Sequence, residues 1–200
     1  FTWKASWLFD SKKVKEEIIE SYILEADGAK VKVEIRKTDL APIYNILLPK
    51  VDIATSALLK SIRNELISVT TVSMKELTDP SVFSTIKERF TKEARKLVKQ
   101  KLPTAEPEIE QFLVGKLIQD MLGLGEIEFL INDPALEEIV IPSSKEKIRV
   151  YSKKYGWLET NFKIGTEEQI INYSNIIARR VGRQITILNP LLDAHLITGD

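Results

Sequence analysis

The residues with the most chemical potential are cationic. Arg179, Arg180 and Arg183 close one helical stretch, and Lys92, Arg95, Lys96 and Lys99 lie along another. An arginine fork can grip a phosphate or a carboxylate through two parallel bonds. At a helix C-terminus the same charges also simply complement the macrodipole. Nucleotide hydrolysis needs more, a loop G-x-x-x-x-G-K-[ST] whose backbone N–H groups surround the phosphates while a hydroxyl holds Mg²⁺. Gly115-Lys116 is the only Gly-Lys pair; Leu117 follows it, and Glu110 stands at the earlier glycine position. This is not such a loop, so the chain by itself is expected to be inactive toward ATP. His195 is the single histidine, with Asp193 two residues ahead. Two ligands do not make a metal site. The carboxylates sit at helix-face spacing and give no pair for general acid–base work.

The elements that must position these residues follow from periodicity. Residues 18–36 read as a β-hairpin about Asp27-Gly28, since glycine takes the positive φ that a type I′ turn requires. Val31, Val33 and Ile35 then alternate with Lys30, Lys32, Glu34 and Arg36, the pattern of a strand with one buried face. Ile43–Leu48 is a third short strand. From Asp52 the period becomes helical, with Ala54, Leu58, Ile62, Leu66 and Val69 as the apolar stripe and Asp52 as cap. Asp79-Pro80 starts a second helix, with Phe83, Ile86, Phe90, Leu97 and Val98 facing inward and Lys and Arg opposite. A third begins near Pro107, buries Ile109, Phe112, Leu113, Leu117 and Met121, and stops at Gly123 and Gly125. Three amphipathic helices with short links predict a small bundle. Ile139–Ile141, Lys147–Tyr151 and Leu158–Phe162 read as an antiparallel meander. Thr166-Glu-Glu-Gln169 is a capping box for a last helix that buries Ile170, Tyr173, Ile177 and Val181 and ends at Gly182. A final strand-like turn covers Ile185–Leu196.

Bulk composition narrows the class. The chain has 200 residues, 44% of them apolar, no cysteine and a formal net charge of zero. That suits one large or two small globular domains and excludes a disulfide scaffold. It gives no electrostatic case for nucleic acid. No apolar run approaches the ~18–20 residues that span a bilayer, and Phe1-Thr-Trp-Lys does not open a signal peptide. Beginning on Phe1 is expected of a chain trimmed at its start. Charge is uneven: Ser84–Leu102 holds seven basic and two acidic residues, Pro103–Glu138 one basic and nine acidic. Two solvated helix faces that partly pair explain this. The alternative is that the basic face, through Lys92, Arg95, Lys96 and Lys99, docks on a partner. Trp3, Trp7, Leu8 and Phe9 cover one side of the sheet or form an aromatic anchor.

The last third carries a resemblance. It reads Gly123-Leu-Gly-Glu-Ile-Glu-Phe-Leu-Ile-Asn-Asp-Pro134, then Glu138-Ile-Val-Ile, then Pro190-Leu-Leu-Asp-Ala-His-Leu-Ile-Thr-Gly-Asp200. This order resembles the region just ahead of the motor in type II/type IV secretion ATPases, the motors of secretion, pili and archaella, and the three-helix segment ahead of it is also in keeping with archaeal members. There the motifs run roughly G-x-G-x-[IL]-E-x-L-[IL]-x-D-P, [IV]-E-[DE]-[IV] and P-x-x-D-A-R-L-x-D-G-S-R-V. The resemblance implies an α+β chain in two parts. Residues 1–104 would be an accessory region of β-meander and helices. Residues 105–200 would be the small α/β, PAS-like domain with an antiparallel sheet. The motor domain, with its ATP and Mg, would lie beyond Asp200, and no cofactor is expected in this chain.

The resemblance also implies a place at the inner face of the cell membrane, beneath a polytopic platform protein. The full-length protein would be a hexamer, with this portion alone a monomer. Arg179, Arg180, Arg183 and His195 become candidates for the nucleotide cleft or a subunit interface. His195 stands where relatives commonly carry arginine. The rival expectation is a stand-alone adaptor that binds proteins and has no ATPase domain.

Overall fold

Asp27 and Gly28 both take positive φ, 54° and 80°, and close a type I′ turn between β1 (Glu17–Ala26) and β2 (Ala29–Lys37). The computed structural model describes residues 17–39, 41–49, 51–70, 82–186, 188 and 191. Trp3, Trp7, Leu8, Phe9, Asp79-Pro80, Asn189-Pro190, Asp193 and His195 lie outside them. β3 (Ile43–Leu47) follows antiparallel to β2, and Val31, Val33, Ile35, Tyr44 and Ile46 turn into the core. The expected alternation fails at one place. Glu34 is only 3% exposed, because Lys32 (2.7 Å) and Arg36 (2.7 Å) close over its carboxylate. Hydrogen bonds from Lys32 and then Arg36 hold that carboxyl below its ordinary pKa.

Three helices pack together against the hairpin. α1 (Ile53–Val69) is capped by the Asp52 carboxylate, which accepts from Thr55 N–H at 2.6 Å. Its buried stripe is Leu59, Ile62 and Leu66, with Leu58 half-buried; Ala54 and Val69 are exposed, against the sequence pattern. α2 (Phe83–Lys101) buries Ile86, Phe90, Ala94, Leu97 and Val98. α3 (Pro107–Leu122) is buried almost all round from Phe112 to Gln119, since it meets both α2 and the hairpin. Gly115 is where it touches the hairpin. A Cβ there would lie 2.7 Å from Ala29 Cβ and 2.9 Å from the Asp27 carbonyl. Ile109, expected inside, is 49% exposed, one turn ahead of the stretch that meets both neighbours.

The second part begins with α4 (Ile127–Ile131), a single turn too short to show a period in sequence. β4 (Leu136–Val140), β5 (Arg149–Ser152) and β6 (Gly156–Thr160) form the expected antiparallel meander; β4 starts three residues and β6 two residues before the expected positions, and β5 two after. α5 (Glu167–Arg180) starts at a capping box: Thr166 Oγ1 accepts from Gln169 N–H, and Gln169 Oε1 reaches back to Gly165 N–H. Its apolar face is only half-buried at Ile170, Tyr173 and Ile177.

The fold is α+β, with one six-stranded mixed sheet in the order β1-β2-β3-β6-β5-β4. The expected boundary near residue 104 falls in the short α2–α3 link, and the sheet joins strands from either side of it. β3 runs parallel to β6, with Ile43 opposite Glu159. The Asn161 side-chain amide extends that pairing, accepting from Ile46 N–H at 3.0 Å and donating to Ile46 C=O at 2.9 Å.

Candidate functional site

The segment that carries the resemblance, Gly123 to Pro134, folds into an interlocked corner. α3 ends with the N–H groups of both Gly123 and Gly125 bonded to Gln119 C=O. Gly125 takes φ 58°, a conformation that strains residues with a Cβ. Glu128, on α4, turns back: its Oε1 accepts from Leu124 N–H at 2.9 Å and from Arg180 Nη2 at 2.5 Å. A Cβ on Gly123 would lie 2.6 Å from that same oxygen. The first glycine of G-x-G-x-x-E thus leaves room for the carboxylate of its glutamate. Glu128 is buried and the Arg180 side chain is 17% exposed. The guanidinium also lies over the Phe83 ring at 5.5 Å, so the pair ties α5 to α4 and to the start of α2. Arg180 Nε is buried with no partner among the described residues.

The Asn132-Asp133-Pro134 end of the same segment forms a second lock. Asp133 is buried. Its Oδ2 accepts from Tyr22 Oη at 2.6 Å and from Tyr44 Oη at 2.5 Å, and its Oδ1 accepts from Ala135 N–H at 2.9 Å. Burial first, and then Asp133, push both phenols well above their ordinary pKa. One carboxylate therefore fastens β1 and β3, from the first part of the chain, to the loop before β4. Glu20 adds to this on the exterior, accepting from Tyr155 Oη at 2.7 Å and Lys154 Nζ at 3.1 Å.

The cationic candidates divide into different environments. Arg180 is bound within the corner. Arg179 is exposed on the next position of α5, and Arg183 is exposed just past the helix end, its backbone N–H on Ala178 C=O at 2.8 Å. On α2, Arg95 and Lys99 approach Glu110 at 3.9 and 3.8 Å, and Lys96 approaches Glu93 at 3.6 Å. Lys92 has no ion pair among the described residues. Together with Arg95 it lines an open cleft of about 530 Å³ beside the hairpin turn, which the paired Lys87 and Asp27 also line. The basic face and the acidic start of α3 therefore meet in part, the plainer of the two readings of the charge pattern. The arginines of α5 and the basic stripe of α2 do not converge. Among the described residues no group of three or more His, Asp or Glu side chains is placed to hold a metal.

A third feature was not foreseen. Between α4, β4 and α5 runs a groove of about 310 Å³ lined by isoleucines, with Glu137 and Glu138 at its rim. Of the residues that matter structurally, Glu128 and Asp133 were legible only as letters of a motif. Tyr22 and Tyr44 carry one signal, a hydroxyl at an inward position of an otherwise aliphatic strand.

No family model matches the chain. It is similar to two uncharacterized proteins of Methanocaldococcus jannaschii. One is 33% identical over 87 residues, which is 44% of this chain and 34% of that protein. The other is 32% identical over 93 residues, 46% of this chain and 17% of that protein. The matched stretch is thus about a third of one relative and about a sixth of the other. Among the described residues no helix is long and apolar enough to cross a membrane.

Proposed function

We propose that this chain is the non-catalytic N-terminal region of a hexameric secretion, pilus or archaellum assembly ATPase. It would couple ATP hydrolysis in a following motor domain to a polytopic platform protein at the inner face of the membrane. The observation that carries this reading is the corner at Gly123–Pro134. The residues behind the family resemblance meet one another there: Gly123 lies against the Glu128 carboxylate, and Glu128 holds Leu124 and Arg180. The similarity to a minor part of longer archaeal proteins is in keeping with a module joined to other domains.

In mechanism the chain supplies a stiff coupling element. The two locks, at Glu128 and at Asp133, tie the sheet and the helices together. Movement of a motor attached after α5 would then be passed on as a rigid-body shift. Arg179 and Arg183, exposed at the end of α5, are the cations in place to meet a neighbouring motor or its nucleotide. The experiment is to read the coding sequence for about 100 residues beyond Asp200, since a phosphate-binding loop G-x-x-x-x-G-K-[ST] after a strand is the motor's signature. Its presence is the expected result. An open reading frame that stops without it overturns the proposal and leaves a protein-binding adaptor.

A further inference from the structure

The isoleucine groove beside β4 has the form of a docking site for an extended segment. β4 is the last strand of the sheet, with β5 as its only neighbour among the described residues. An edge strand offers a row of backbone groups to any chain that can lie beside it. The groove next to it holds the half-buried side chains of Ile131, Ile139, Ile141 and Ile177. Alternate side chains of an added strand reach such a groove while its backbone pairs with the edge. Glu137 and Glu138 are both exposed on this edge, and no basic residue lines the groove. Two carboxylates oppose a second copy of the same edge, where they would face their own like, and they favour a basic strand.

We infer that this groove and the β4 edge bind a cytoplasmic segment of the membrane platform protein, an extended stretch alternating aliphatic residues with Lys or Arg. The inference rests on the function proposed above for its choice of partner. Cytoplasmic loops of membrane proteins carry an excess of Lys and Arg, so an acidic, apolar edge is complementary to them. The basic face of α2 is not: it has the same sign as the loops, and Arg95, Lys96 and Lys99 already face carboxylates.

The test uses the whole chain and two fluorescent dodecapeptides, one alternating Ile/Val with Lys and the other Ile/Val with Glu, alongside peptides copied from the platform protein's cytoplasmic loops. Anisotropy should show the Lys peptide binding at least ~10-fold tighter than the Glu peptide, with a preference that weakens as salt rises. In the double variant Glu137→Lys, Glu138→Lys the preference should invert, and hydrogen exchange should slow at the β4 amides only when peptide is bound. Equal binding of both peptides, or protection elsewhere, overturns the site. Because the charge pair is exposed, this variant keeps the fold; Ile139→Asp is a second variant that should abolish binding. β4 amides already protected in the free chain, and released by Leu188→Asp with Leu191→Asp, would assign the groove to the chain's own exposed tail and overturn the proposal. Loop peptides that bind the chain but ignore Glu137→Lys, Glu138→Lys refute the groove and spare the coupling function. A charge-selective groove that accepts the Lys peptide but no loop peptide refutes the platform protein as partner.

Discussion

The corner around Glu128 and the basic face of α2 use the same residue types under opposite conditions. In the corner one carboxylate is buried and one guanidinium half-buried, 5% and 17% exposed, and they share their bonds with a backbone N–H and an aromatic ring. On α2 the partners stand 3.6–3.9 Å apart and the cations are 54–63% exposed. Taking one member from a buried pair strands the other out of water, at a cost of several kcal/mol. Glu110 is itself only 17% exposed but faces both Arg95 and Lys99, so removing one of these exposed cations leaves it the other, at a cost of at most ~1 kcal/mol. Charge at the corner therefore specifies architecture more than charge on α2 does.

The largest effect should come from Glu128→Ala, which unpairs Arg180 and uncaps Leu124 and should lower stability by ~3–5 kcal/mol in a denaturant titration. Glu128→Leu with Arg180→Met should recover much of that loss, since apolar groups often replace a buried pair without penalty. A single Glu128→Ala change that costs less than any α2 lysine would break the contrast. Next comes Tyr44→Phe, which removes one bond to the Asp133 carboxylate and should cost ~1.5–3 kcal/mol. The same residue gives a pH signature. Its phenol has a folded pKa raised above the ordinary value of 10 by burial and by Asp133. Its contribution is therefore complete below pH 10 and is lost as pH rises past 10 toward the folded value. Wild type should lose Tm over that rise, and Tyr44→Phe should lose less.

Gly115→Ala should cost ~1–3 kcal/mol by overpacking, because its Cβ would meet Ala29 Cβ and the Asp27 carbonyl. An unchanged Tm would mean that α3 and the hairpin turn do not touch. The smallest effect should be that of Lys92, Arg95, Lys96 and Lys99 changed together to Gln. We expect ~1 kcal/mol, most of it from Glu110, which is 17% exposed and loses both Arg95 and Lys99, diminishing with salt.

The sequence was most legible where local chemistry decides structure. Asp27-Gly28, Asp52 and Thr166 announced a turn and two caps, and each is in place. Helices α2 and α5 followed from their period, although the apolar face of α5 is only half covered. What pattern could not supply was partnership between distant residues. Nothing near Tyr22 or Tyr44 in sequence indicates Asp133, about 90–110 positions away. Arg180 read as a charge complementing a helix end, or as a candidate for a nucleotide cleft or subunit interface, and nothing near it in sequence pointed to Glu128. The pairing of β3 with β6 rests on two residues of register and the Asn161 amide, features that leave no periodic trace. Burial of Glu34 likewise depends on two neighbours folding over it, which alternation alone cannot foretell.

The most direct test of the coupling role is binding of this chain to the purified platform protein in detergent. Isothermal titration should show saturable binding that Glu128→Ala abolishes when the corner unfolds and that the α2 quadruple variant preserves. No binding by the folded chain would contradict the proposed coupling role.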